Sequence, residues 1–477
     1  MLHLTPEQKE TVQAILRHPG SFVLHGAPGT SKSTVMRRAI RCKLDSTTNS
    51  ATLLQNTVLL CCAPTAFVAE KSEHNYAPAV PAAHLVPCFT VDGLLKKELV
   101  WEQLQHAAEA GQLLQCIVCI DEVGMLSTYH IEQLCCRLEK STKRLSMVQF
   151  WMSGDFDQLQ APCAVSICSA PSFLKLLRQR QNPTLSLRLT EQLRFLGDDS
   201  MLQFAALLRS LADMRGKKGC MSNLMHTVDR AILFFNERTV RPGLPMPNVV
   251  ATDVTCIRYT NKETHAINAN AVDQLHKPPY NRPMYIVADK AGQNHFKCVI
   301  GQKAMVTKNT KNDKGCIVAS NGSVWTIDAV TGSEHPALTD FAVGQLNTRA
   351  YLLDKELTFH LIDETGQELA LAARLATKDD DGAQTKYVFD LKHCWAITAH
   401  CSQGMTLPGK VHVKAASFLE FELLYVACTR HTKWHNFYCN GICADELVEL
   451  VLKTGNANIA NVKQFLHRRT TATALST

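Results

Sequence analysis

Ten residues near the N-terminus combine glycine, lysine and hydroxyl side chains at the spacing of a phosphate-binding loop. The segment 25–34, His-Gly-Ala-Pro-Gly-Thr-Ser-Lys-Ser-Thr, follows an apolar run at 22–24 and leads into a helical pattern. In such a loop, backbone N–H groups and the helix N-terminus cradle a β-phosphate. Lys32 supplies a charge for the β- and γ-phosphates, and the Ser33 hydroxyl is placed to bind Mg²⁺. The predicted nucleotide-binding residues are Gly26, Ala27, Pro28, Gly29, Thr30, Ser31, Lys32, Ser33 and Thr34.

One position of this loop departs from the usual pattern, because Ser31 stands where a second glycine is normally found. A serine fits there only if the backbone avoids positive φ, a region that glycine enters without steric cost. We therefore expect a nucleotide site whose affinity would be reduced by any backbone penalty at Ser31.

Two carboxylates end a second apolar run. Residues 117–120 are Ile-Val-Cys-Ile, and Asp121 and Glu122 follow them. A buried parallel strand carries such groups to its C-terminal edge, where ligands bind in sheets of this kind. There Asp121 would hold Mg²⁺ and Glu122 would polarise an attacking water. An exposed acidic turn is the alternative, and the upstream loop disfavours it.

A third apolar run, 148–152, leads into Ser-Gly-Asp-Phe-Asp-Gln-Leu at 153–159. An amide such as that of Gln158, placed beside a γ-phosphate, can sense the phosphate by hydrogen bonding. A tight turn with no role in chemistry is the alternative from these residues alone.

Strand-like and helical segments alternate around these residues. Apolar runs at 22–24, 58–62 and 116–120 are separated by helical patterns such as 32–41 and 129–138. This alternation predicts an α/β fold with a parallel, doubly wound sheet. A second series of apolar strands begins near 247–252 and resumes after residue 385.

The region between these later strands has a different character. Turn signals at 290–292, 321–322 and 330–332 separate short β-rich runs such as 324–327. We interpret this region as a small β-barrel-like domain inserted into a second α/β domain. The acidic run at 379–381 is expected to be a solvated loop that closes it.

The composition is that of a globular protein with several domains. The 477 residues are 46% hydrophobic and 19% charged, with a net charge of +7, which permits nucleic-acid binding without demanding it. An uninterrupted apolar run of about 18 residues is absent, so a membrane span is not expected. The N-terminus lacks the pattern of a secretory signal, and we expect an intracellular protein, cytoplasmic or nuclear.

Nineteen cysteines are scattered along the chain, many of them inside apolar runs. Without a secretory signal they are expected to be small buried hydrophobic residues in a reducing compartment. Cys116 and Cys119 form the one CxxC pair, and with no second pair at a suitable spacing a metal site there is disfavoured.

The phosphate-binding loop, the paired carboxylates and the Gln158 segment, in this order, resemble superfamily 1 helicases. Six further segments carry the resemblance: Thr-Pro-Glu-Gln at 5–8, Ala-Pro-Thr-Ala at 63–66, Leu-Thr-Glu-Gln-Leu-Arg at 189–194, Tyr-Thr-Asn at 259–261, Ala-Ile-Thr-Ala-His-Cys-Ser-Gln-Gly-Met-Thr-Leu at 396–407, and Leu-Tyr-Val-Ala-Cys-Thr-Arg at 424–430. The segment at 396–407 is the most distinctive. It is similar to the fifth motif of the 5′-to-3′ branch, which includes the RecD, Dda and Pif helicases.

The resemblance implies an ATP site with Mg²⁺ as cofactor. It implies that Gln8 contacts the adenine base, that Gln403 and Gly404 contact ATP, and that Arg194 and Arg430 are arginine fingers. The expected catalytic residues are Lys32, Asp121, Glu122, Gln158, Arg194 and Arg430, with Ser33 and Asp121 as metal ligands.

The resemblance also implies a path for single-stranded DNA. The expected contacts are Pro64, Thr65, Thr90, Thr260, Asn261, Thr398, His400 and Ser402. Asp92 stands where the family pattern has histidine, and it is left out because a carboxylate would repel phosphate. Trp101 and Trp325 are expected to pack in cores rather than to separate or stack on strands.

The fold that the resemblance implies is α/β, with two RecA-like parallel-sheet motor domains and a small β-barrel-like insertion in the second. The expected bounds are 1–175 for the first motor domain, 176–269 and 386–477 for the second, and 270–385 for the insertion.

The expected function is that of a monomeric, ATP-dependent DNA helicase or translocase that moves 5′ to 3′ on single-stranded DNA or on DNA with single-stranded tails. Replication, repair or recombination would be its setting, with unidentified protein partners. One alternative is an RNA helicase or viral replicase-type motor. Another is a weakly catalytic, nucleotide-dependent DNA clamp or complex subunit. The compact chain suggests a relative in a phage, a virus or a mobile element.

Overall fold

The structure of the protein is a computed structural model. It describes residues 4–48, 57–64, 88–111, 113, 115–143, 148–158, 165–178, 183–215, 221–240, 254–289, 292, 296–308, 310–311, 317–319, 322–335, 338, 348–363, 366–375, 387–407, 409–453 and 462. Thr65, an expected DNA contact, and the acidic run at 379–381 lie outside these residues.

Six parallel strands form the first sheet. They are β1 (Phe22–Gly26), β2 (Thr57–Ala63), β3 (Cys88–Thr90), β4 (Gln115–Ile120), β5 (Val148–Gly154) and β6 (Leu185–Leu189). Their order is β3-β2-β4-β5-β1-β6. The two strands that lead into acidic segments, β4 and β5, lie side by side next to β1, so their C-terminal ends meet at one edge beside the phosphate-binding loop.

Helices cover both faces of this sheet. They are α1 (Pro6–Arg17), α2 (Lys32–Thr48), α3 (Val91–Leu95), α4 (Glu98–Glu109), α5 (Thr128–Thr142) and α6 (Pro171–Leu177), with 3₁₀ turns at Val123–Met125 and Ile167–Ser169. Apolar residues of α1 and α2 pack on one face. Those of α3 to α6 pack on the other, where Trp101 is 3% exposed in the core, as expected. Coverage on both faces explains why the strands are apolar throughout.

The second α/β region begins with two helices that pack on each other. Its first elements are α7 (Asp199–Met214), α8 (Met221–Arg238), β7 (Val254–Arg258) and α9 (Asn261–His276). Apolar residues on α7 and α8, including Phe204 and Phe235, share one core with later elements of the chain.

The insertion after α9 is made of short strands. They are β8 (Met284–Ala288), β9 (Phe296–Val299), β10 (Lys303–Val306), β11 (Thr310–Lys311), β12 (Ile317–Ala319), β13 (Val324–Thr331), β14 (Thr348–Leu352), β15 (Thr358–Ile362), β16 (Glu368–Ala372), β17 (Arg374–Leu375), β18 (Tyr387–Val388) and β19 (Leu391–His393). Five form an antiparallel sheet in the order β16-β15-β13-β10-β19. Trp325 lies in its core, 5% exposed, as expected.

The chain then returns to the sheet of the second α/β region. The remaining elements are β20 (Ala396–Thr398), α10 (Ala399–Ser402), β21 (Lys410–Lys414), α11 (Phe421–Cys428), β22 (Phe437–Asn440) and α12 (Ala444–Leu452), with 3₁₀ turns at Ala415–Ser417 and Trp434–Asn436. Four parallel strands lie in the order β20-β7-β21-β22. The expected fold class, two parallel-sheet α/β units with a β-rich insertion in the second, matches this arrangement.

Elements of the fold lie across or beyond three of the expected domain bounds, which stay a prediction. Strand β6 pairs with β1, so the first sheet extends to residue 189, beyond the expected bound at 175. Helix α9 runs through the expected bound at 270, because nothing breaks it before Pro278 and Pro279, and strands β18 and β19 follow the expected bound at 385. Sheet pairing decides the first difference, and pairing between distant segments is not visible in local sequence.

The described cysteines are mostly buried and none is in a disulfide, as the sequence suggests. Among the described residues, no group of three or more His, Cys, Asp and Glu side chains could hold a metal ion. None of the described helices combines the length and apolar character that crossing a bilayer requires.

Candidate functional site

The loop between β1 and α2 is packed tightly against the segment that follows β6. A Cβ added to Gly26 would lie 2.5 Å from the Leu189 carbonyl oxygen, and one added to Gly29 would lie 2.5 Å from Arg194 Cβ. Gly29 also has a φ of 87°. Its carbonyl accepts hydrogen bonds from the N–H groups of Leu193 and Arg194. Only glycine satisfies both the close approach and the left-handed backbone at this point.

Ser31 adopts the conformation that its side chain disfavours. Its φ is 59°, in the left-handed region. The condition under which serine would fit without strain is therefore not met, and the conformation costs about 1–2 kcal/mol for a residue with a Cβ. The carbonyl of Ser31 accepts the Thr34 N–H at 3.0 Å, which begins the first turn of α2. The start of the helix thus imposes the strained geometry on Ser31.

Lys32 is 7% exposed and points back into the loop. Its Nζ donates to the carbonyl oxygens of Gly26, at 2.8 Å, and Ala27, at 3.1 Å. Burial lowers the pKa of Lys32, while Glu122 and Asp155 act to raise it. The ammonium is thus held by backbone carbonyls at a place where phosphate oxygens could accept the same hydrogen bonds. The loop residues Pro28 and Thr30 are buried beside it.

Asp121 and Ser33 converge at the edge of the first sheet. The Ser33 hydroxyl donates to Asp121 Oδ2 at 2.8 Å, and the Ser153 hydroxyl donates to Oδ1. Asp121 itself is 6% exposed. Carboxylate and hydroxyl oxygens are the hard ligands that Mg²⁺ prefers, usually with phosphate and water completing the shell. The residues present therefore fit the expected magnesium site.

Glu122 lies next to this pair in an unusual backbone conformation. Its φ of 51° and ψ of 44° are left-handed. Burial raises the pKa of Glu122, Lys32 acts to lower it and Asp121 acts to raise it further. A carboxylate with a raised pKa, close to a phosphate site, is suited to accept a proton from water. Strained residues of this kind cluster at functional sites.

Gln158 connects the first sheet to the second. Its Nε2 donates to Asp155 Oδ2 at 3.1 Å, and its Oε1 accepts from Arg430 Nη2 at 3.4 Å. Arg430 is 1% exposed and follows α11 of the second sheet. Burial, together with the nearby Arg194, lowers the pKa of Arg430 to about 9. The amide and this guanidinium therefore face each other across the boundary between the two α/β units.

Arg194 also bridges the two units. Its Nη1 donates to the Thr429 carbonyl oxygen at 2.9 Å, beside Arg430. Burial lowers the pKa of Arg194, and Glu122 acts to raise it. Its segment is held in place by Glu7, whose carboxylate accepts from the N–H groups of Thr190 and Glu191. Helix α1, the loop and both arginines thus form one connected cleft.

Three buried glutamine amides in the described residues keep polar atoms without a hydrogen-bond partner. They are Gln8 Nε2, Gln192 Oε1, and both Nε2 and Oε1 of Gln403. Gln8 already uses its Oε1 in a capping box with Thr5 at the start of α1. Buried polar atoms normally find partners. Gln192 Oε1 lies 3.0 Å from a Cβ built on Gly29, so this unpaired oxygen beside the loop fits a polar ligand such as a nucleotide. Gly404, next to Gln403, has a φ of 79°.

Arg209 is a residue of the cleft that the sequence did not reveal. It projects from α7 and pairs with Asp155 and Asp157, both at 2.6 Å. The sequence signal is faint, an arginine among the apolar residues 204–212 of a helix. The partners follow β5, and nothing local connects the two segments.

The expected DNA contacts include exposed and buried side chains, and Thr398 is 8% exposed; together they are named the DNA edge. Thr90, Thr260 and Thr398 are the N-caps of α3, α9 and α10, and each hydroxyl accepts a backbone N–H from the first turn of its helix. Asn261 and His400 are exposed, and Pro64 is partly buried at the end of β2. Capping alone accounts for the threonines, whether or not DNA binds there.

Two positions at this edge need separate comment. Ser402 is fully buried and its hydroxyl donates to the Ala399 carbonyl oxygen at 2.8 Å, so the structure does not support the expected DNA contact. The short helix α10 turns this side chain inward. Asp92, which was left out of the expected contacts, lies 3.3 Å from His130 Nε2.

A cavity of about 800 Å³ opens between α9 and the insertion. Asn261 and Thr398 line it, and so do the exposed Lys297 and Lys392. Phe296 contributes an aromatic ring that stacks on His393, with ring centroids 4.6 Å apart. Cationic and aromatic side chains beside polar ones are what backbone phosphates and bases of a single strand require. The two lysines had no sequence motif to mark them.

This arrangement is similar to that of known proteins. Residues 3–216, a little under half of the chain, match the family model described as an AAA domain. The solved Pif1 helicase of Candida albicans is similar over 98% of this chain and 100% of its own, with 15% identity and a TM-score of 0.62. Bacteroides Pif1 bound to single-stranded DNA is similar over 98% of both chains, with 15% identity and a TM-score of 0.58. No curated protein sequence matches the chain.

A third solved structure, Bacteroides Pif1 with ADP-AlF3 and single-stranded DNA, has 16% identity and a TM-score of 0.58 over 98% of both chains. At this level of identity the likeness establishes the fold. The chain therefore has the fold of these Pif1 helicases. The expected fold class is confirmed.

Proposed function

We propose that this chain is an ATP-driven DNA helicase or translocase that steps along single-stranded DNA as the interdomain cleft closes and opens. The observation that carries the proposal is the contact between Gln158 Oε1 and Arg430 Nη2, 3.4 Å apart, which joins the two motor units. A γ-phosphate between these side chains would contact both units at once. Hydrolysis removes that contact, so the two nucleotide states favour different arrangements of the units.

Each cleft residue has a distinct part in this proposal. Lys32 and the loop amides bind the phosphates, and Glu122 accepts a proton from the attacking water. Arg194 and Arg430 stabilise the negative charge that develops at the γ-phosphate. Ser33 and Asp121 would hold Mg²⁺, which supplies charge neutralisation at the phosphates when bound.

The strand would follow the DNA edge described above. Lys297 and Lys392 would neutralise phosphates, and Thr90, Thr260, Asn261, Thr398 and His400 would add polar contacts. Since Bacteroides Pif1 is known bound to single-stranded DNA, the same class of partner is proposed for this chain. The proposed 5′-to-3′ direction rests on the similarity of 396–407 to the fifth motif of that branch.

The proposal extends to the organisation of the chain. Residues up to 189 would act as the first motor domain, and 199–276 with 396–452 would act as the second. The insertion, 284–393, would guide the strand past the cavity. One chain contains both halves of the cleft, so the proposed active form is a monomer.

A strand-displacement assay with matched 5′-tailed and 3′-tailed duplexes tests this proposal. We expect ATP-dependent displacement of the 5′-tailed duplex, lost in Lys32→Ala and Glu122→Gln but retained in the surface variant Lys433→Gln. Displacement of the 3′-tailed duplex alone would overturn the direction. DNA-stimulated hydrolysis that survives in both cleft variants would overturn the motor itself. Stronger stimulation by RNA than by DNA would reassign the substrate.

A weakly catalytic, nucleotide-dependent DNA clamp is the second candidate, and the strained Ser31 favours it. A φ of 59° at a serine works against the loop conformation that receives the β-phosphate. A clamp would retain DNA in the presence of ATP without many turnovers. Counting the ATP molecules hydrolysed during each DNA-binding event separates it from a motor.

A further inference from the structure

Arg209 reaches from one motor unit into the other. It lies on α7, whose apolar residues pack in the core of the second sheet. Its Nη1 is 2.6 Å from Asp155 Oδ1 and its Nη2 is 2.6 Å from Asp157 Oδ2, in the loop after β5 of the first sheet. The two carboxylates are 0% and 2% exposed. A planar guanidinium that pairs with two buried carboxylates fixes their relative position.

The ion pairs continue into the catalytic residues. Asp155 Oδ2, the oxygen that Arg209 does not take, accepts the Gln158 Nε2 hydrogen bond at 3.1 Å. A carboxylate can only accept, so the NH₂ group of Gln158 must face Asp155. The amide oxygen then faces Arg430 Nη2, at 3.4 Å. The direction of every donor from Arg209 to Arg430 is thereby determined.

We propose that Arg209 is a positioning residue for ATP hydrolysis. It holds Asp155 in place, so that the Gln158 amide directs its oxygen to Arg430 and its NH₂ group to Asp155. This inference rests on the proposed function, because it assigns a part in the hydrolysis to a contact outside the nucleotide itself. The effect is geometric, because Arg209 acts on Gln158 through its contact with Asp155.

The charges around Asp155 support this part. Burial acts to raise the pKa of Asp155, but Arg209 and then Lys32 outweigh it and hold the pKa below its ordinary value. Without Arg209, a buried carboxylate would lose its main counter-charge and would favour protonation. A protonated Asp155 can donate, so the Gln158 amide would be free to turn over and offer NH₂ to Arg430, which cannot accept.

Replacing Arg209 tests the proposal through two readouts, steady-state hydrolysis and nucleotide binding. We expect Arg209→Gln to lower kcat by up to about 100-fold, the size of effect that a misplaced catalytic group produces. The Kd for ADP should be unchanged, because ADP has no γ-phosphate for Gln158 to sense. The ratio of the Kd for ADP alone to the Kd for ADP with aluminium fluoride should fall. Arg209→Lys keeps the charge but not the two-pronged geometry, and should give an intermediate kcat.

The matched control is Arg215→Gln on the same segment. Arg215 pairs with Glu422 of α11, a contact inside the second motor unit and away from the cleft. It should leave kcat unchanged while costing similar thermal stability. A wild-type kcat in both Arg209 variants would overturn the proposal. So would a loss of ADP affinity in parallel with kcat, which marks a purely structural contact. If Arg209→Gln does not fold, Arg209→Lys decides by the same criteria.

Failure of this inference is distinguishable from failure of the proposed function. If the wild-type chain does not move along DNA, the two binding constants, for ADP and for ADP with aluminium fluoride, still report on Gln158. If the wild-type chain is an active motor and the preference for aluminium fluoride survives in Arg209→Gln, only the positioning role is lost.

Discussion

In the nucleotide cleft the charged side chains are buried, and the contact of Asp155 with Arg209 joins the two α/β units, whereas the expected DNA contacts Thr260, Asn261 and His400 are exposed. Lys32, Asp155 and Arg430 belong to the first group. Thr260 and Asn261 belong to the second, together with the exposed Lys392. The cleft therefore depends on tertiary contacts, and the edge depends on local helix starts.

The difference predicts how each region responds to substitution. Removing one partner of a buried ionic network leaves an uncompensated charge, so effects in the cleft should be large and not additive. Exposed charges contribute little individually and are screened by salt. Effects at the DNA edge should therefore be small, roughly additive and dependent on ionic strength.

Arg430→Gln should show the largest effect. Arginine fingers contribute about 10³–10⁵-fold to kcat in related phosphate chemistry, and Arg430 is the guanidinium that faces Gln158. We expect kcat for ATP to fall by about 10³-fold or more. Steady-state ATPase assays with saturating single-stranded DNA measure this, with Lys433→Gln as the exposed neighbour control. A loss of tenfold or less would mean that the cleft is not the buried, cooperative site described here.

Glu122→Gln should come next. Loss of a general base costs about 10²–10⁴-fold, and the glutamine keeps the shape of the side chain. We expect kcat to fall by that amount while ATP binding persists, measured by fluorescent-nucleotide titration and single-turnover hydrolysis. Equal losses of binding and turnover would assign Glu122 to the fold rather than to the reaction.

The raised pKa of Glu122 gives a pH dependence. The base must be deprotonated to accept a proton, so activity should fall as pH decreases through its pKa. Because burial raises that pKa above the ordinary 4.5, the acid limb of kcat/KM should lie above pH 4.5. Below it the rate should drop about tenfold for each pH unit. A flat profile down to pH 4.5 in the folded protein would contradict this assignment.

At the DNA edge, Lys392→Ala should have a smaller effect that depends on salt. Losing one phosphate contact should reduce the slope of log K against log salt by about 0.7 for a single strand. Fluorescence anisotropy with oligo-dT at several salt concentrations measures it, with Lys175→Ala, exposed on α6, as the control. An unchanged slope would show that Lys392 does not contact the strand. A change in basal ATPase activity would show that Lys392 also acts on the nucleotide cleft, against the difference described between the two regions.

Ser31→Gly should have the smallest effect, and it should be favourable. Relief of the left-handed strain at Ser31, about 1–2 kcal/mol, outweighs the about 0.5–1 kcal/mol of chain entropy that glycine costs, so the free energy of unfolding should rise slightly. Thermal unfolding with and without ADP measures it. Thr30→Gly, at a neighbouring position without positive φ, should lower the free energy of unfolding by more than about 0.5–1 kcal/mol, because it carries the same entropic cost and also loses the hydrogen bond from the Thr30 hydroxyl to the Ala27 carbonyl oxygen. Destabilisation by Ser31→Gly would show that the serine side chain supports the loop.

The sequence by itself determined the features that are local in the chain. The loop at 26–34, the carboxylates after β4 and the alternation of strands and helices were all predicted, because strand period, helix caps and motif spacing are written in neighbouring residues. Burial of Trp101 and Trp325 followed from the same patterns. Where resemblance to the helicase family added roles, it did so through short contiguous motifs.

Only the tertiary structure decided the contacts between distant segments. Gln158 and Arg430 are 272 residues apart, and Asp155 and Arg209 are 54 residues apart, so no local pattern specifies either pair. The same holds for the pairing of β6 with β1, two strands on either side of the expected bound at 175. Backbone angles are likewise set by the surroundings: the start of α2 gives Ser31 its positive φ, and α10 turns Ser402 inward. Charge networks and backbone strain depend on which elements meet, and that is a property of the folded chain.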